Sequence, residues 1–217
     1  MLKELIKIKE WLIDVLMPKF CVGCGREGTY ICKDCEIFLS EAECNMKEAE
    51  PLSMMSVWEY EGLMEKLIYK IKYDGCSDII GELVKKAFEK IDLRLPQYAV
   101  ITFVPMHKKK EKYRGFNQAE LIAQKVGEAT GRPVAKFLEK IKDNRSQVGL
   151  NPQERTENVK GVFNPLSLLK SDFNKTTVLL VDDVYTTGAT MAECMKVLKK
   201  AGVKNIYGFT LAKKLRL

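Results

Sequence analysis

Two adjacent carboxylates and a hydroxyl-rich turn form the strongest chemical signal in the sequence. Asp182 and Asp183 follow an apolar run, residues 178–181, and precede a turn that opens a helix. Such a turn aims backbone N–H groups at one point, and the helix amino end adds a positive partial charge, so the two can cradle a phosphate. The residues of this cradle are Tyr185, Thr186, Thr187, Gly188, Ala189 and Thr190.

The acid pair has a different task, because two carboxylates would repel a phosphate. They suit the vicinal hydroxyls of a ribose, which they can hold directly or through metal-bound water. Four apolar residues without alternation predict a strand buried on both faces, and open parallel sheets bind ligands at the carboxyl ends of such strands. A phosphate cradle beside a diol-binding acid pair predicts a ribose 5-phosphate site. The alternative is a capped helix with solvated acids.

Four cysteines form a second cluster with a recognisable spacing. Two Cys-x-x-Cys pairs, separated by seven residues, can complete the closed tetrahedral shell of structural zinc. With no open coordination position, this site would serve structure or partner binding. The alternative is a set of reduced or disulfide-linked thiols without metal. Cys44 is spare, and the predicted zinc ligands are Cys21, Cys24, Cys32 and Cys35.

A basic segment follows another apolar run. Five of the fourteen residues 105–118 are Lys or Arg, which predicts a flexible loop that neutralises a pyrophosphate leaving group and closes over the site. As a charge run alone, the segment would fit a solvated face or a nucleic-acid patch. His107, the single histidine, could be an acid or a polar surface residue. The candidate residues are Met106, His107, Lys108, Lys109 and Arg114.

The remaining pattern supplies the elements that must position these groups. Strand-like and helix-like segments alternate, which predicts an α/β fold with a parallel sheet flanked by helices. Three units are expected: an amphipathic helix at residues 1–16, a four-cysteine zinc module at 17–50, and the α/β domain at 51–217. Strands are predicted at residues 53–60, 100–104, 133–138, 178–181 and 206–211, and helices at 2–16, 61–73, 77–91, 116–129, 152–159 and 189–200.

Composition limits the classes of protein. Apolar residues make up 46% of the 217-residue chain, enough for a core, and the net charge of +7 permits anionic partners without choosing among them. No run of 18 apolar residues exists, so no membrane span is expected. The amphipathic helix is expected to pack on its own protein rather than on a membrane. Clustered cysteines without an apolar leader favour a cytoplasmic protein.

The acid–acid–x–x–Thr–x–Gly–x–Thr segment resembles the signature of type I phosphoribosyltransferases. This resemblance implies that the site binds phosphoribosyl pyrophosphate (PRPP), with Asp182 and Asp183 on ribose and metal and Mg²⁺ accompanying the pyrophosphate. Purine-salvage members usually carry an aspartate at the position of Thr186, which argues against hypoxanthine–guanine salvage.

The basic segment extends the resemblance to a narrower family. Its sequence is similar to that of the ComF family of competence-related proteins, which typically begin with a zinc module. The resemblance spans the chain from the cysteine cluster to the last strand, with Asn144 in place of an expected threonine. The matching stretches include residues 104–120, 67–75 and 147–163, among them Arg155.

Two functions follow as hypotheses from this resemblance. The first is an enzyme in which a nucleophile displaces pyrophosphate from C1 of PRPP, linked to DNA uptake in natural transformation. The second is a non-catalytic adaptor that uses the same fold to bind single-stranded DNA or other DNA-uptake proteins, with Tyr113 and Phe116 stacking on bases.

Overall fold

The computed structural model of the chain describes residues 18–42, 54–93, 95–97, 99–143, 152–166 and 177–214. The predicted helix at residues 2–16, Cys44, Asn144 and residues 147–151 of the matching stretch at 147–163 lie outside the described residues. In chain order the elements are α1 (Lys33–Glu36), β1 (Met54–Glu59), α2 (Gly62–Tyr73), α3 (Ile79–Lys90), β2 (Val100–Phe103), α4 (Lys108–Arg114), α5 (Gln118–Thr130), β3 (Leu138–Lys140), α6 (Pro152–Val159), β4 (Phe163–Pro165), β5 (Thr177–Tyr185), α7 (Ala189–Lys200) and β6 (Asn205–Lys213).

A parallel sheet with the strand order β1-β6-β5-β2 forms the centre of the α/β domain. Residues 178–181 of β5 are fully buried at four consecutive positions, so both faces of the sheet are covered. Helix α5 packs against β2 and β5, α3 packs against α5, and α7 packs against β5 and β4. The predicted α/β fold with a parallel sheet flanked by helices is therefore confirmed.

Strand β5 is longer than predicted. It continues past Val181 to Tyr185 and stays paired with β6, where Tyr185 is opposite Lys213. Its pairing with β2 stops at Val181, opposite Phe103. The acid pair thus lies within the strand but beyond the end of its shorter neighbour. The prediction took the acids as the end of the strand, whereas pairing on one side is enough to extend it.

The basic segment is helical rather than a loop, so the expected loop conformation is wrong. Helix α4 spans Lys108–Arg114 and begins at the N-cap His107, whose Nδ1 accepts the N–H of Lys109 at 3.3 Å. It ends at Gly115, whose φ of 88° is in the left-handed region that glycine adopts readily. Lysine is a good helix former, and these two caps define a short helix that has no buried residue.

The strand predicted at residues 133–138 is only partly present. Val134 forms a single parallel bridge with Ile101 of β2, and the regular strand β3 begins only at Leu138. Strand β3 pairs antiparallel with β4 in a separate two-stranded sheet. The apolar pattern located the edge of the main sheet but not the point at which the chain leaves it.

The cysteine-containing segment is fastened to the α/β domain by polar contacts with α3. The carboxylate of Glu82 accepts the hydroxyl of Thr29 at 2.6 Å and the N–H groups of Ile31 at 2.9 Å and Tyr30 at 3.1 Å. Lys86 adds an ion pair with Glu36 at 2.5 Å. These contacts give the segment a fixed position although few of its residues are buried.

Candidate functional site

A cavity of about 530 Å³ lies at the carboxyl edge of the parallel sheet. Residues that directly follow each of the four strands line it: Tyr60 after β1, Val104 after β2, Thr186 after β5 and Lys214 after β6. Because parallel strands end at the same edge, loops far apart in sequence meet there. The cavity is therefore where the fold gathers polar groups from the whole domain.

The predicted phosphate cradle forms one wall of this cavity. Gly188 has a φ of 77°, and a Cβ at this position would lie 2.3 Å from the hydroxyl of Tyr185, so a larger residue would be strained and would clash. Helix α7 begins immediately afterwards, which directs its amino end at the turn. The residues of the cradle that line the cavity are Tyr185, Thr186, Gly188, Ala189 and Thr190.

Thr187 is not among the residues that line the cavity. Its hydroxyl accepts the N–H of Ala189 at 3.4 Å, a contact within the turn. This residue therefore shapes the start of α7, while its role toward a ligand stays a prediction.

The two acids line the cavity but have different surroundings. Asp183 is buried, and its Oδ1 accepts the N–H of Val184 at 2.8 Å. Its Oδ2 lies 2.7 Å from Nζ of Lys72, which comes from the distant helix α2. Asp182 is more exposed, and its Oδ1 accepts the N–H of Asp183 at 2.9 Å. The pair is thus one carboxylate with a counterion and one that faces the cavity.

These surroundings shift the charges of the site. Burial raises the pKa of Asp182, and the neighbouring Asp183 carboxylate adds to this effect, so that its pKa reaches about 8. Burial alone would lower the pKa of Lys72, but the neighbouring Asp183, with smaller contributions from Asp182 and Tyr60, raises it. Lys72 therefore stays charged. The ionised form of Asp182 is disfavoured, and a ligand that stabilises this form would offset that cost.

Several cations also line the cavity. Arg114 of α4 lies over the ring of Tyr73, 5.7 Å from its centroid, and donates to Oε1 of Gln118 at 2.5 Å. Lys140 of β3 is partly buried, and burial, followed by the charge of Lys110, lowers its pKa. An anion bound beside Lys140 would stabilise its charged form. The cationic residues that line the cavity are Lys72, Lys110, Arg114, Lys140 and Lys214.

The candidates of the basic segment divide between two surfaces. Met106 and Arg114 line the cavity, whereas Lys108 and Lys109 are exposed and lie outside its lining. His107 also lies outside the lining. Its Nδ1 caps α4 and is 3.7 Å from Oδ1 of Asp143, which indicates a structural task.

Four lysines line the cavity although sequence reasoning did not name them as site residues: Lys72, Lys110, Lys140 and Lys214. Lys72 lies in a stretch that resembles the ComF family, and that resemblance was the only signal that could have found it. Lys110 faces inward only because α4 is helical. Lys140 depends on the β3–β4 pairing, whose partner strand is far away in sequence.

The four predicted zinc ligands come together. Their sulfur atoms all lie within 4.8 Å of one another. Four thiolates at 2.3 Å from one zinc ion would be roughly 3.8 Å apart, so the cluster fits a tetrahedral metal site. Burial alone would raise the pKa of Cys21, but N–H groups of Cys32, Cys24 and Gly23 lower it to about 6, whereas burial and the neighbouring thiols raise the pKa of Cys35 to about 12. Cys21 thus favours the metal-binding thiolate by itself, and Cys35 would need the metal ion to lose its proton.

Among the helices of the described part of the chain, none combines the length and the apolar composition needed to cross a membrane.

Comparisons with known proteins agree with this architecture. The description "Phosphoribosyl transferase domain" belongs to the family profile that matches residues 107–216, which include the acid pair, the phosphate cradle and α4. Competence protein F of Haemophilus influenzae is 30% identical over 202 residues, which is 89% of this chain and 84% of that protein.

Two further relatives match over a similar length. Competence protein ComFC of Bacillus subtilis is 26% identical, with 88% of this chain and 76% of that protein covered. DNA utilization protein YhgH of Escherichia coli is 25% identical, with 90% and 84% covered. The chain therefore belongs to the ComF family and carries a phosphoribosyl transferase domain.

Proposed function

We propose that the cavity binds PRPP and that the protein is an enzyme of the phosphoribosyltransferase type. One observation carries this proposal: the acid pair, the phosphate cradle and several cations line the same cavity. The cradle from Tyr185 to Thr190 would hold the 5-phosphate, Asp182 and Asp183 would serve the ribose and metal, and the cations would balance the pyrophosphate. No single element could combine these three functions.

The proposed reaction is substitution at C1 of PRPP. The C1–O bond to pyrophosphate breaks and its electron pair leaves with pyrophosphate, while an acceptor atom forms the new bond to C1 and releases its proton to water. Fixed charges favour such a step because they are already oriented toward the charge that develops. Arg114, Lys110 and Lys140 are suited to the leaving group, since all three line the cavity. Lys108 and Lys109 stay predictions for this role.

Mg²⁺ is the proposed companion of the pyrophosphate. A hard cation prefers oxygen ligands and is usually held by one or two carboxylates together with substrate phosphates. Asp182 fits this requirement, because its carboxylate lines the cavity beside the phosphate cradle. When bound, Mg²⁺ would offset the negative charge of pyrophosphate.

Zinc is the proposed occupant of the four-cysteine cluster. Its shell would be complete with Cys21, Cys24, Cys32 and Cys35, so its role would be structural. We propose the domain bounds 1–16, 17–50 and 51–217 for the amino-terminal helix, the zinc module and the phosphoribosyltransferase domain. Reduced clustered thiols and a phosphorylated substrate favour a cytoplasmic location.

Isothermal titration calorimetry with PRPP and Mg²⁺ tests the proposal. We expect saturable binding with one site per chain, and slow release of pyrophosphate once a suitable acceptor is supplied. If PRPP binds but no acceptor causes release of pyrophosphate, the protein would be a PRPP-binding protein and not an enzyme. No detectable binding of PRPP to folded, metal-loaded protein would overturn the proposal.

A specific observation favours a second function, a single-stranded DNA or partner adaptor. Tyr113 is 95% exposed on the basic helix α4, and Tyr69 and Tyr73 form a second exposed pair with ring centroids 4.8 Å apart. Aromatic rings among cations suit the stacking of unpaired bases. The relatives' names, "competence protein" and "DNA utilization protein", are consistent with a link to DNA uptake and its proteins.

Fluorescence anisotropy with a short single-stranded oligonucleotide tests this second function. Binding should weaken steeply with salt, because neutralised phosphates release counterions. Competition by PRPP would place the DNA at the cavity, and binding that PRPP does not affect would place it elsewhere. No binding at low salt would favour the enzyme alone.

A further inference from the structure

The carboxyl end of α2 connects two walls of the cavity. Lys72 reaches β5, where its ammonium lies 2.7 Å from Oδ2 of Asp183. The next residue, Tyr73, lies beneath the guanidinium of Arg114 on α4. Adjacent side chains of one short segment therefore contact the acid pair and the basic helix. Both residues line the cavity, although they lie outside the 107–216 stretch that matches the phosphoribosyl transferase profile.

Asp183 is almost closed to a ligand. Its side chain is only 7% exposed, and Oδ2 is completely buried beside Lys72. Its other oxygen accepts the N–H of Val184. Asp182, one residue earlier, points to the opposite side of the strand and is the more exposed acid. The two acids are thus unequal, and only Asp182 is well placed to meet a ribose.

Lys72 lines the cavity, and its ion pair does not use all of its hydrogen-bond donors. An ammonium has three N–H donors, and one contact with Asp183 leaves donors for other oxygens. The side chain is 22% exposed, and Lys72 is among the residues that line the cavity. Anchoring to a buried carboxylate holds the ammonium in one place, so little rotamer freedom remains to be lost when an anion binds.

We propose that Lys72 is a substrate-contacting residue that donates to an oxygen of PRPP, and that Asp183 is a positioning residue that acts through Lys72. Asp182 is then the acid that meets the ribose. This inference rests on the proposed function, because it assigns a further residue to the same site. It also explains why a segment outside the matched domain supplies a partly buried cation at the cavity.

Calorimetry of PRPP with Mg²⁺ tests the role of Lys72 in three variants. Loss of one charged hydrogen bond should make binding about tenfold weaker in Lys72→Met, and Lys72→Arg should recover most of the affinity. Lys70→Met is the matched control on the same helix, since Lys70 pairs with Asp74 at the surface. We expect parental affinity for this control.

The double variant Lys72→Met/Asp183→Asn separates ligand contact from folding. Lys72→Met alone leaves a buried charge unpaired and lowers stability, whereas the double variant removes the ion pair as a neutral unit. Loss of affinity equal to that of Lys72→Met supports the inference. Parental affinity in the double variant would mean that the pair is only structural and would overturn it. A loss of affinity in the double variant that is clearly larger than in Lys72→Met would show that Asp183 contacts PRPP itself, which also overturns the inference.

The proposed function fails in a different way. Parental protein that does not bind PRPP overturns both proposals. Parental protein that binds PRPP while Lys72→Met binds equally well overturns this inference alone. Circular dichroism of every variant at the titration temperature confirms that folded protein is compared.

Discussion

The four-cysteine segment and the phosphoribosyl transferase domain reach a fixed structure by different means. The domain has a continuous apolar core, in which β5 is buried on both faces. The cysteine segment buries few apolar side chains, among them Ile31 and Leu39. Its order depends on converging thiols and on polar contacts to Glu82. We therefore expect the domain to tolerate the loss of a single polar contact better than the cysteine segment, which buries few apolar side chains.

The polar groups of the two regions therefore have different roles. In the domain, most polar groups at the cavity are exposed to ligand and can be changed without loss of the core, and the Lys72–Asp183 ion pair is the exception. In the cysteine segment, each sulfur is part of the structure. Substitutions in the two regions should therefore have opposite effects. Those at exposed groups of the cavity should weaken ligand binding without a change in stability. Those in the cysteine segment should change stability without a direct effect on ligand binding.

The largest effect is expected from Asp182→Asn/Asp183→Asn. Loss of both carboxylates should weaken PRPP binding more than about 100-fold, because the charge-assisted hydrogen bonds of Asp182 to ribose and metal are removed and Lys72 loses the carboxylate that positions it. Stability should not fall in proportion, since burial and the neighbouring carboxylate already disfavour the ionised form of Asp182. Calorimetry measures the affinity and thermal unfolding the stability. Glu128→Gln, on the exposed face of α5, is the control, and equal affinity in the double variant would refute the assignment.

The second prediction concerns the metal. Cys32→Ser should abolish stoichiometric zinc, because three thiolates leave the tetrahedral shell incomplete. Elemental analysis of protein purified without chelator should find one zinc per parental chain and much less in the variant. Cys76→Ser, outside the cluster, should retain the metal. Parental protein without zinc would contradict the assignment.

A smaller effect is expected at the contact between the two regions. Glu82→Gln keeps one acceptor oxygen where the carboxylate serves three donors, so it should cost about 2 kcal/mol in the free energy of unfolding. Denaturant unfolding measures this cost, with the exposed Glu89→Gln of the same helix as control. Zinc content should be unchanged. A loss of zinc equal to that of Cys32→Ser would mean that the contact is required for the metal site itself.

Local pattern was sufficient for the phosphate cradle and its elements. The apolar run at 178–181, the glycine at 188 and the helix at 189–200 are all encoded within consecutive residues, and the helix bounds agree with α7. The cysteine cluster could also be predicted from the sequence, because two Cys-x-x-Cys pairs indicate that four thiols come together whatever surrounds them. Both signals come from short-range geometry that the rest of the chain does not alter.

The remaining site required tertiary structure. The pairing of Lys72 with Asp183 depends on how α2 packs beside β5, and no pattern around either residue specifies it. The lysine run at 108–110 offers three similar cations, and only the helical phase of α4 makes Lys110 face the cavity. Sequence identified a basic segment, but which of its charges is useful depends on the backbone conformation.

That choice of lysine is the last and smallest test. Lys110→Gln should weaken PRPP binding by about fivefold at low salt, the effect of one partly solvated charge pair. Lys108→Gln should leave binding unchanged, because Lys108 is exposed and lies outside the cavity lining. The two variants remove the same charge from the same helix, so net charge cannot explain a difference between them. Calorimetry at two salt concentrations measures both, and the effect of Lys110→Gln should shrink as salt rises. Equal losses in both variants would show that α4 acts only through its overall field. A larger loss in Lys108→Gln would mean that α4 changes its orientation when PRPP binds.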